Sequence, residues 1–170
     1  MHHAAMESAR NKINICQPGY NASCALCCGS HNYAGDESAI AEIFRERDAS
    51  PEPRAYPMRF SDGIQCPHAG FIDVDGFRIG CRIYADLSGA RGMREFFNYT
   101  CKNFSCAARD TLSDDEIVFA ARLMGDWFYY SLFINEIRLL KKYYAKYGCS
   151  SRVPRTALED AKKKLHAMIA

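Results

Sequence analysis

The sequence lacks an apolar run of 18 residues, so no part of it is expected to span a bilayer. Its start, MHHAAMES, lacks the long apolar core of a secretory signal, which indicates a cytoplasmic protein. The GxSxG, HExxH and P-loop motifs are absent, so hydrolase or nucleotidase activity has no motif in its favour. The 22 basic and 20 acidic residues nearly balance, and the net charge of +2 does not favour nucleic acid or an anionic membrane as a partner.

The chain contains enough apolar material for one folded domain. At 170 residues, 48% of them hydrophobic, it can bury a core of its own. We predict a single domain over residues 1–170, with a cysteine-rich metal-binding region at 16–106 and a helical region at 111–170. The predicted class is α+β, mostly α, in which cysteine-rich loops and one β-hairpin pack against C-terminal helices.

The hairpin is predicted from the segment GFIDVDGFRIGCRIY. A two-residue turn at Asp75-Gly76 would give a register in which apolar partners share one face. The expected pairs are Val74–Phe77, Ile72–Ile79 and Gly70–Cys81, with Asp73 opposite Arg78 on the other face. This register aims the Cys81 side chain inward.

Helices are predicted on both sides of this hairpin. Residues 36–48 have the apolar spacing of a short helix. Ser113 and Glu116 have the spacing of a capping box, in which each side chain bonds to the other's backbone N–H group, and so predict a helix start. The apolar period then continues to Tyr147, with Gly148 as a left-handed end.

Two details of the helical region are less regular. Gly125 or Ser131 marks a kink or a break in the long apolar stretch, whose aromatic residues are more typical of a core than of a ligand groove. A last helix is predicted after Pro154, with Thr156 and Glu159 as a second capping box.

Eight of the nine cysteines fall between residues 16 and 106. In a reducing compartment such thiols are more often metal ligands or redox groups than parts of a disulfide framework. A C-x2-C segment curls tightly enough for both sulfurs to reach one metal. The candidate metal ligands are Cys16, Cys24, Cys27, Cys28, Cys66, Cys81, Cys101 and Cys106. The ninth, Cys149, is predicted to be unligated.

The cofactor predicted from this pattern is zinc, with an iron–sulfur cluster as the alternative. Eight thiolates fill two zinc sites of four, or one four-cysteine cluster with spares. The adjacent Cys27 and Cys28 are expected to point apart and to play different roles. His31 and His68 are substitute ligands by position, although a lone histidine is more often a packing residue. The alternative to metal binding is that the cysteines are free thiols buried in the core. No local feature marks one cysteine as a nucleophile.

Positive charge is concentrated near the C-terminus. Nine Lys or Arg and two acidic residues lie between Arg138 and Lys164, an excess of seven positive charges that leaves about −5 elsewhere. A solvated helix face is the commoner explanation, and a protein partner for the basic helices is the alternative. Nucleic acid is not expected to bind.

The segments CALCCGSHNY, CPHAGFID and GCRIY, with a closing C-x4-C pair, resemble the YkgJ-type cysteine-cluster proteins of bacteria and archaea, described as zinc- or iron-chelating. The resemblance covers residues 16–106. It implies that Cys24, Cys27, Cys28, Cys66 and Cys81 are cluster positions, with Cys101 and Cys106 in the closing positions. The chain departs from the family after the IY, where ADLSGARGMREFFNYTCKNFSC replaces an Arg-Pro turn and a CR-x-F segment.

Two functions follow as expectations. The first is a cytoplasmic metal-binding protein that holds zinc or an iron–sulfur cluster through its thiolates. Larger relatives in the family are described as lysine N-methylases of flagellin. The resemblance therefore implies, as the alternative, an iron–sulfur redox or methyl-transfer-related protein-modification enzyme, or a subunit of one.

Overall fold

The computed structural model describes residues 13–33, 35–49, 66, 68–85, 99, 101 and 105–169. A 3-10 turn at Leu26–Cys28 precedes the first helix. The strands are β1 (Ala69–Phe71) and β2 (Ile79–Cys81), and the helices are α1 (Glu37–Ala49), α2 (Arg82–Ala85), α3 (Ala107–Thr111), α4 (Asp114–Met124), α5 (Trp127–Asn135), α6 (Ile137–Tyr147) and α7 (Arg155–His166). The predicted α+β class, mostly helical with one antiparallel hairpin, is confirmed.

Helix α5 lies at the centre of the fold. It packs against α3, α4, α6, α7 and strand β2. Its sequence, WFYYSLFIN, is apolar on nearly all sides, and every side chain except those of Tyr129 and Asn135 is buried. A helix of this kind is stable only in an interior. The aromatic stretch therefore forms core, as predicted.

The long apolar stretch after residue 113 forms three helices rather than one. The predicted capping box at its start is confirmed: the Ser113 hydroxyl accepts from the Glu116 amide at 3.3 Å, and the Glu116 carboxylate accepts from the Ser113 amide at 2.9 Å. Gly125 breaks the stretch in a left-handed conformation, and Gly148 ends α6 in the same way. Ser131 lies inside α5 and breaks nothing.

The second capping box is wrong. Helix α7 begins at Arg155, directly after Pro154, whose backbone is extended. Thr156 consequently lies inside the first turn, where its hydroxyl cannot cap, and no side chain caps this helix start. The Glu159 carboxylate accepts instead from the Arg155 guanidinium at 3.0 Å.

The predicted hairpin register is also wrong, by one residue. The observed partners are Ala69 with Cys81, Gly70 with Gly80 and Phe71 with Ile79. The cause is the Asp73 carboxylate, which accepts hydrogen bonds from the amides of Phe77 and Arg78 at 3.0 Å each. These bonds support a longer turn, with Gly76 at a φ of +66°. Val74 and Phe77 are left exposed instead of facing one another inside.

Two features expected from the predicted register are nevertheless observed. The Cys81 side chain is buried, together with Ile79 and Ile83, as expected. The Asp73 carboxylate and the Arg78 guanidinium form an ion pair at 3.8 Å. The predicted helix at 36–48 is confirmed to within one residue, and the Asp36 carboxylate accepts from the amide of Ala39 at its start.

Candidate metal centre

Residues 15–30 form what we call the first cysteine loop. A turn that contains no glycine at its two central positions closes it. Tyr20 and Asn21 have φ values of +57° and +58°, and the amide of Ala22 donates to the carbonyl of Gly19 at 3.0 Å. The turn reverses the chain, so the amide of Cys24 donates to the carbonyl of Cys16 at 2.9 Å. The two cysteines are therefore neighbours in space.

The unfavourable conformation of Tyr20 is accompanied by a contact with helix α4. The Arg122 guanidinium lies 4.6 Å from the Tyr20 ring centroid and donates to its hydroxyl at 3.0 Å. Left-handed backbone at a non-glycine residue costs about 1–2 kcal/mol. The Arg122 contact offsets part of that cost and fixes the turn on the helical core.

Three cysteine sulfurs form a group that we call the outer trio: Cys27, Cys28 and Cys66. The Sγ atoms of Cys27 and Cys28 lie 4.0 Å apart at the end of the 3-10 turn Leu26–Cys28. The expectation that these two side chains point apart is therefore wrong. The amide of Cys66 donates to the carbonyl of Cys28 at 2.8 Å, which joins the trio across a long sequence separation.

The outer trio shares protons. The Cys28 thiol hydrogen-bonds with both neighbouring sulfurs, and this raises the pKa of Cys28 well above its usual value. The same bond lowers the pKa of Cys27 to about 7, against an opposing contribution from burial. The bond between Cys28 and Cys66 likewise lowers the pKa of Cys66 to about 6, and the backbone N–H groups of His68 and Ala69 lower it further. The arrangement thus favours thiolate, the form that binds metals, at Cys27 and Cys66, and a neutral thiol at Cys28.

Three further cysteines form what we call the inner set, defined by the action of their charges on the Tyr130 hydroxyl: Cys16, Cys24 and Cys106. Burial raises the pKa of Tyr130, and nearby charge on these three sulfurs raises it further. The Tyr130 hydroxyl donates to the carbonyl of Ile15 at 2.8 Å, next to Cys16 in the chain. Helix α5 is therefore joined to the segment before Cys16 through Tyr130.

Cys81 and Cys101 are the remaining two candidates. The side-chain amide of Gln17 donates to the carbonyl of Cys81 at 2.9 Å. This bond attaches the end of β2 to the first cysteine loop. Burial raises the pKa of Cys101 to about 11, and the charges of Cys81, Cys66 and Cys27 add to the effect. All eight predicted ligands therefore interact electrostatically with others of the set.

Sequence reasoning missed the polar residues of α5 that support this loop. The Ser131 hydroxyl donates to the carbonyl of Ser23 at 3.2 Å and accepts from the amide of Ala25 at 3.4 Å. One turn later, the Asn135 amide donates to the Cys24 sulfur at 3.6 Å. A signal was present: Ser131 and Asn135 are polar residues four positions apart in an otherwise apolar segment.

His31 is a packing residue in this structure. Its Nδ1 lies 2.8 Å from the Ser30 hydroxyl and its Nε2 lies 3.1 Å from the carbonyl of Phe128. The ring centroid is 5.5 Å from that of Trp127 and 4.7 Å from that of Phe128. Burial lowers the pKa of His31 to about 4, and the bond to the Phe128 carbonyl only partly opposes this. Both ring nitrogens are engaged, as expected of the packing alternative.

The cysteine sulfurs that the structure describes do not form a complete set of metal ligands. Within the described residues, no three Cys, His, Asp or Glu side chains converge as a metal ion requires. The 4.0 Å separation of the Cys27 and Cys28 sulfurs is nevertheless close to the edge of a tetrahedral thiolate site, about 3.8 Å for a Zn–S bond of about 2.3 Å. In donor type the cysteines suit a soft or borderline metal, and Cys27 and Cys28 are one pair at ligand spacing.

Cys149 belongs to a different part of the surface. It is exposed after α6, and its Sγ lies 3.2 Å from the Ser151 hydroxyl. Hydrogen bonds from Ser151 lower its pKa, and the charges of Arg152 and Arg122 lower it further. This cysteine serves as a natural control for experiments on the other eight.

No protein-family model, curated protein sequence or solved structure matches this chain. The resemblance to YkgJ-type proteins thus stays a prediction that rests on cysteine spacing. None of the described helices is both long enough and apolar enough to cross a membrane.

Proposed function

We propose that this chain is a metal-binding protein, with zinc as the preferred metal, held by the outer trio and a fourth thiolate from Cys101. The observation that carries the proposal is the 4.0 Å contact between the sulfurs of Cys27 and Cys28, to which Cys66 is joined from a distant segment by the bond from its amide to the Cys28 carbonyl at 2.8 Å. Cys101 is the candidate for the fourth ligand, since the charges of Cys81, Cys66 and Cys27 all act on it. Thiolates so close repel one another unless a cation neutralises them.

The packing of the first cysteine loop supports a structural role for the metal. Its buried side chains are small or few: Ile15, Ala22, Ser23, Ala25 and Ser30. A loop that buries so little apolar surface gains folding free energy from metal ligation, as in other small thiolate modules.

The test is the metal content of protein purified anaerobically without a tag. Zinc, iron and acid-labile sulfide are measured per chain for the unsubstituted protein and for Cys28→Ser and Cys149→Ser. We expect near-stoichiometric zinc that Cys28→Ser reduces and Cys149→Ser leaves unchanged. Folded protein without zinc or iron, and unable to take up either on reconstitution, contradicts the proposal.

A second candidate is an iron–sulfur protein that serves electron transfer or a modification reaction. The observation in its favour is the set of N–H donors aimed at sulfur: backbone groups at Cys66 and the Asn135 amide at Cys24. Hydrogen bonds of this kind tune the reduction potential of a cluster. Iron with matching sulfide and a brown chromophore after anaerobic, iron-replete growth would favour it over zinc, and colourless protein would reject it.

An acidic protein partner for the basic helices is a further proposal. Exposed cations recur every fourth residue along α6 and so share one face: Arg138, Lys142 and Lys146. This surface complements an acidic one, whose attraction weakens with salt. Reversing Lys142 and Lys146 to Glu should abolish salt-sensitive partner capture at unchanged metal content. Intact capture by that variant rejects the surface.

A further inference from the structure

We propose that Cys27 and Cys28 form a redox-active dithiol, which a hydroperoxide converts into a disulfide between these two neighbouring residues. The reaction goes beyond metal binding, because it takes place in the metal-free protein. One consequence of it rests on the function proposed above: a disulfide at this position removes two ligands from the metal centre. Oxidation of the pair should therefore release the metal ion.

The sulfurs of the pair are already close to one another. Their Sγ atoms lie 4.0 Å apart at the end of the 3-10 turn. A disulfide bond is about 2.05 Å long, so the two sulfurs must approach by about 2 Å. A change of side-chain rotamer moves a cysteine sulfur by this much. The thiols are thus placed to react with one another without movement of a distant segment.

Exposure distinguishes the two members of the pair. Cys27 is exposed, whereas Cys28 is half-buried, so a peroxide in solution meets the Cys27 sulfur first. The backbone of Cys28 is held on both sides: its amide donates to the carbonyl of Ala25 at 3.0 Å, and its carbonyl accepts from the amide of Cys66 at 2.8 Å. Accessible cysteines beside a second thiol are typical of peroxide sensors. Cys27 is therefore the attacking residue and Cys28 the resolving one.

The reaction has two steps. The Cys27 thiolate attacks one oxygen of hydrogen peroxide, and an S–O bond forms while the O–O bond breaks; the departing oxygen leaves as water with the proton that Cys27 gave up. The Cys28 sulfur then attacks the Cys27 sulfur, and an S–S bond replaces the S–O bond. The released hydroxide leaves as water with the Cys28 proton. Two electrons pass from the sulfurs to the peroxide.

The disulfide should also disturb the 3-10 turn. The ring that it closes contains the peptide between Cys27 and Cys28, whose N–H group donates to the Ala25 carbonyl. Adjacent Cα atoms lie about 3.8 Å apart across a trans peptide, whereas disulfide-bonded residues usually have Cα atoms about 4.4 Å apart or more. The oxidised pair is consequently strained, and strained disulfides are readily reduced by small thiols. The change should be reversible.

Cys149 is an internal control for this chemistry. It is exposed like Cys27, but its Sγ lies 3.2 Å from the Ser151 hydroxyl, which cannot form a disulfide. Peroxide should therefore convert Cys149 into a sulfenic acid or a higher oxide. Dimedone, a dione that traps sulfenic acids, distinguishes this product from a disulfide.

The first test treats the reduced, metal-free, full-length chain with hydrogen peroxide at neutral pH. The remaining thiols are alkylated after unfolding, and tandem mass spectrometry locates them. We expect Cys27 and Cys28 to lose alkylation together, in a peptide lighter by two hydrogen atoms, and a small thiol to restore both. Alkylation of both residues after peroxide treatment overturns the proposal, and so does a disulfide between Cys28 and Cys66 in its place.

Two variants assign the roles within the pair. Cys28→Ser should leave Cys27 as a persistent sulfenic acid that dimedone traps, because the resolving sulfur is gone. Cys149→Ser should leave the yield of the disulfide unchanged. Unmodified Cys27 in the Cys28→Ser variant would contradict its role as the attacking residue.

The second test connects the pair to the metal centre. Zinc-loaded protein is oxidised beside a colorimetric zinc chelator, and a sample with chelator but without peroxide is the control. We expect zinc release to follow disulfide formation with the same time course. A chain that forms the disulfide and keeps its zinc overturns the regulatory role. A chain that binds no zinc but forms the disulfide defeats the proposed function and supports the redox pair.

Discussion

The Nδ2 of Asn135 lies 3.6 Å from the Sγ of Cys24. The same amide group donates to the carbonyl of Ser131 at 2.8 Å, which orients it. The last turn of α5 thus presents a donor to the cysteine loop. Such a donor stabilises a thiolate more than a thiol.

Where Cys24, one of the eight candidate ligands, binds the metal, replacing Asn135 with Ala should weaken zinc binding by about tenfold, the lower end of the range for loss of a hydrogen bond to a metal ligand. Competition with a chelator of known affinity measures the change. Thr156→Ala is the matched control because its side chain is exposed on α7. Equal affinities in the two variants would show that the Asn135 bond does not support a ligand.

His31 should make the fold sensitive to acid. Its pKa is about 4 in the folded protein and 6.5 in the unfolded chain. Between these values the unfolded state binds a proton that the folded state excludes, so the free energy of unfolding falls as the pH falls. The contribution is complete above pH 6.5 and about 2 kcal/mol of it is lost by pH 5.

The variant His31→Gln isolates this contribution, because other titrating groups are common to both proteins. Urea unfolding of the metal-free, reduced proteins is compared at pH 7.5 and pH 5. We expect the stability advantage of the unsubstituted chain to shrink by about 2 kcal/mol at the lower pH. Parallel pH profiles would contradict the burial of a neutral imidazole.

The two residues predicted to cap helices, Ser113 and Thr156, should differ in how much their replacement changes the free energy of unfolding. Ser113→Ala should lower the free energy of unfolding by about 1 kcal/mol, because the Glu116 amide loses its acceptor. Thr156→Ala should change it by less than about 0.5 kcal/mol, because no cap is lost. Thermal unfolding at one fixed pH measures both, and equal effects would reject the assigned helix starts.

Neighbouring lysines of α7 should also differ. The Lys162 ammonium lies 2.9 Å from the Asp126 carboxylate and 4.3 Å from the Tyr129 ring centroid. Lys162→Ala should therefore cost about 1 kcal/mol in folding stability. Lys163→Ala is the control, because that side chain is exposed. The difference, measured by urea unfolding, should decrease at about 1 M salt; no difference at low salt would contradict the contacts.

The parts of the fold predicted correctly depend on neighbouring residues in the sequence. The Ser113–Glu116 box and the glycine after Tyr147 each specify a helix end with local chemistry. The start of α7 directly after Pro154 was predicted correctly, but its capping box was wrong because the extended Pro154 precedes the helix without any side-chain bond. The hairpin register was missed because one carboxylate, Asp73, captures two amides and lengthens the turn.

The candidate site was predicted as a set of residue types and not as an arrangement. Cysteine spacing singled out the eight thiols, but their grouping depends on tertiary contacts. Tyr20 lies in a left-handed turn conformation that is unusual for tyrosine, with Arg122 in contact from another segment. The pairing of Cys28 with Cys66 likewise depends on a backbone bond across a long sequence separation.

The position of the single tryptophan has a practical consequence. Trp127 is buried at the start of α5, and its ring lies beside the imidazole of His31, three residues after Cys28. A protonated imidazole quenches indole emission, and any displacement of the cysteine loop changes the contact between the two rings. The intrinsic fluorescence of this chain is therefore a built-in optical gauge of the loop, readable during a metal or pH titration without an attached dye.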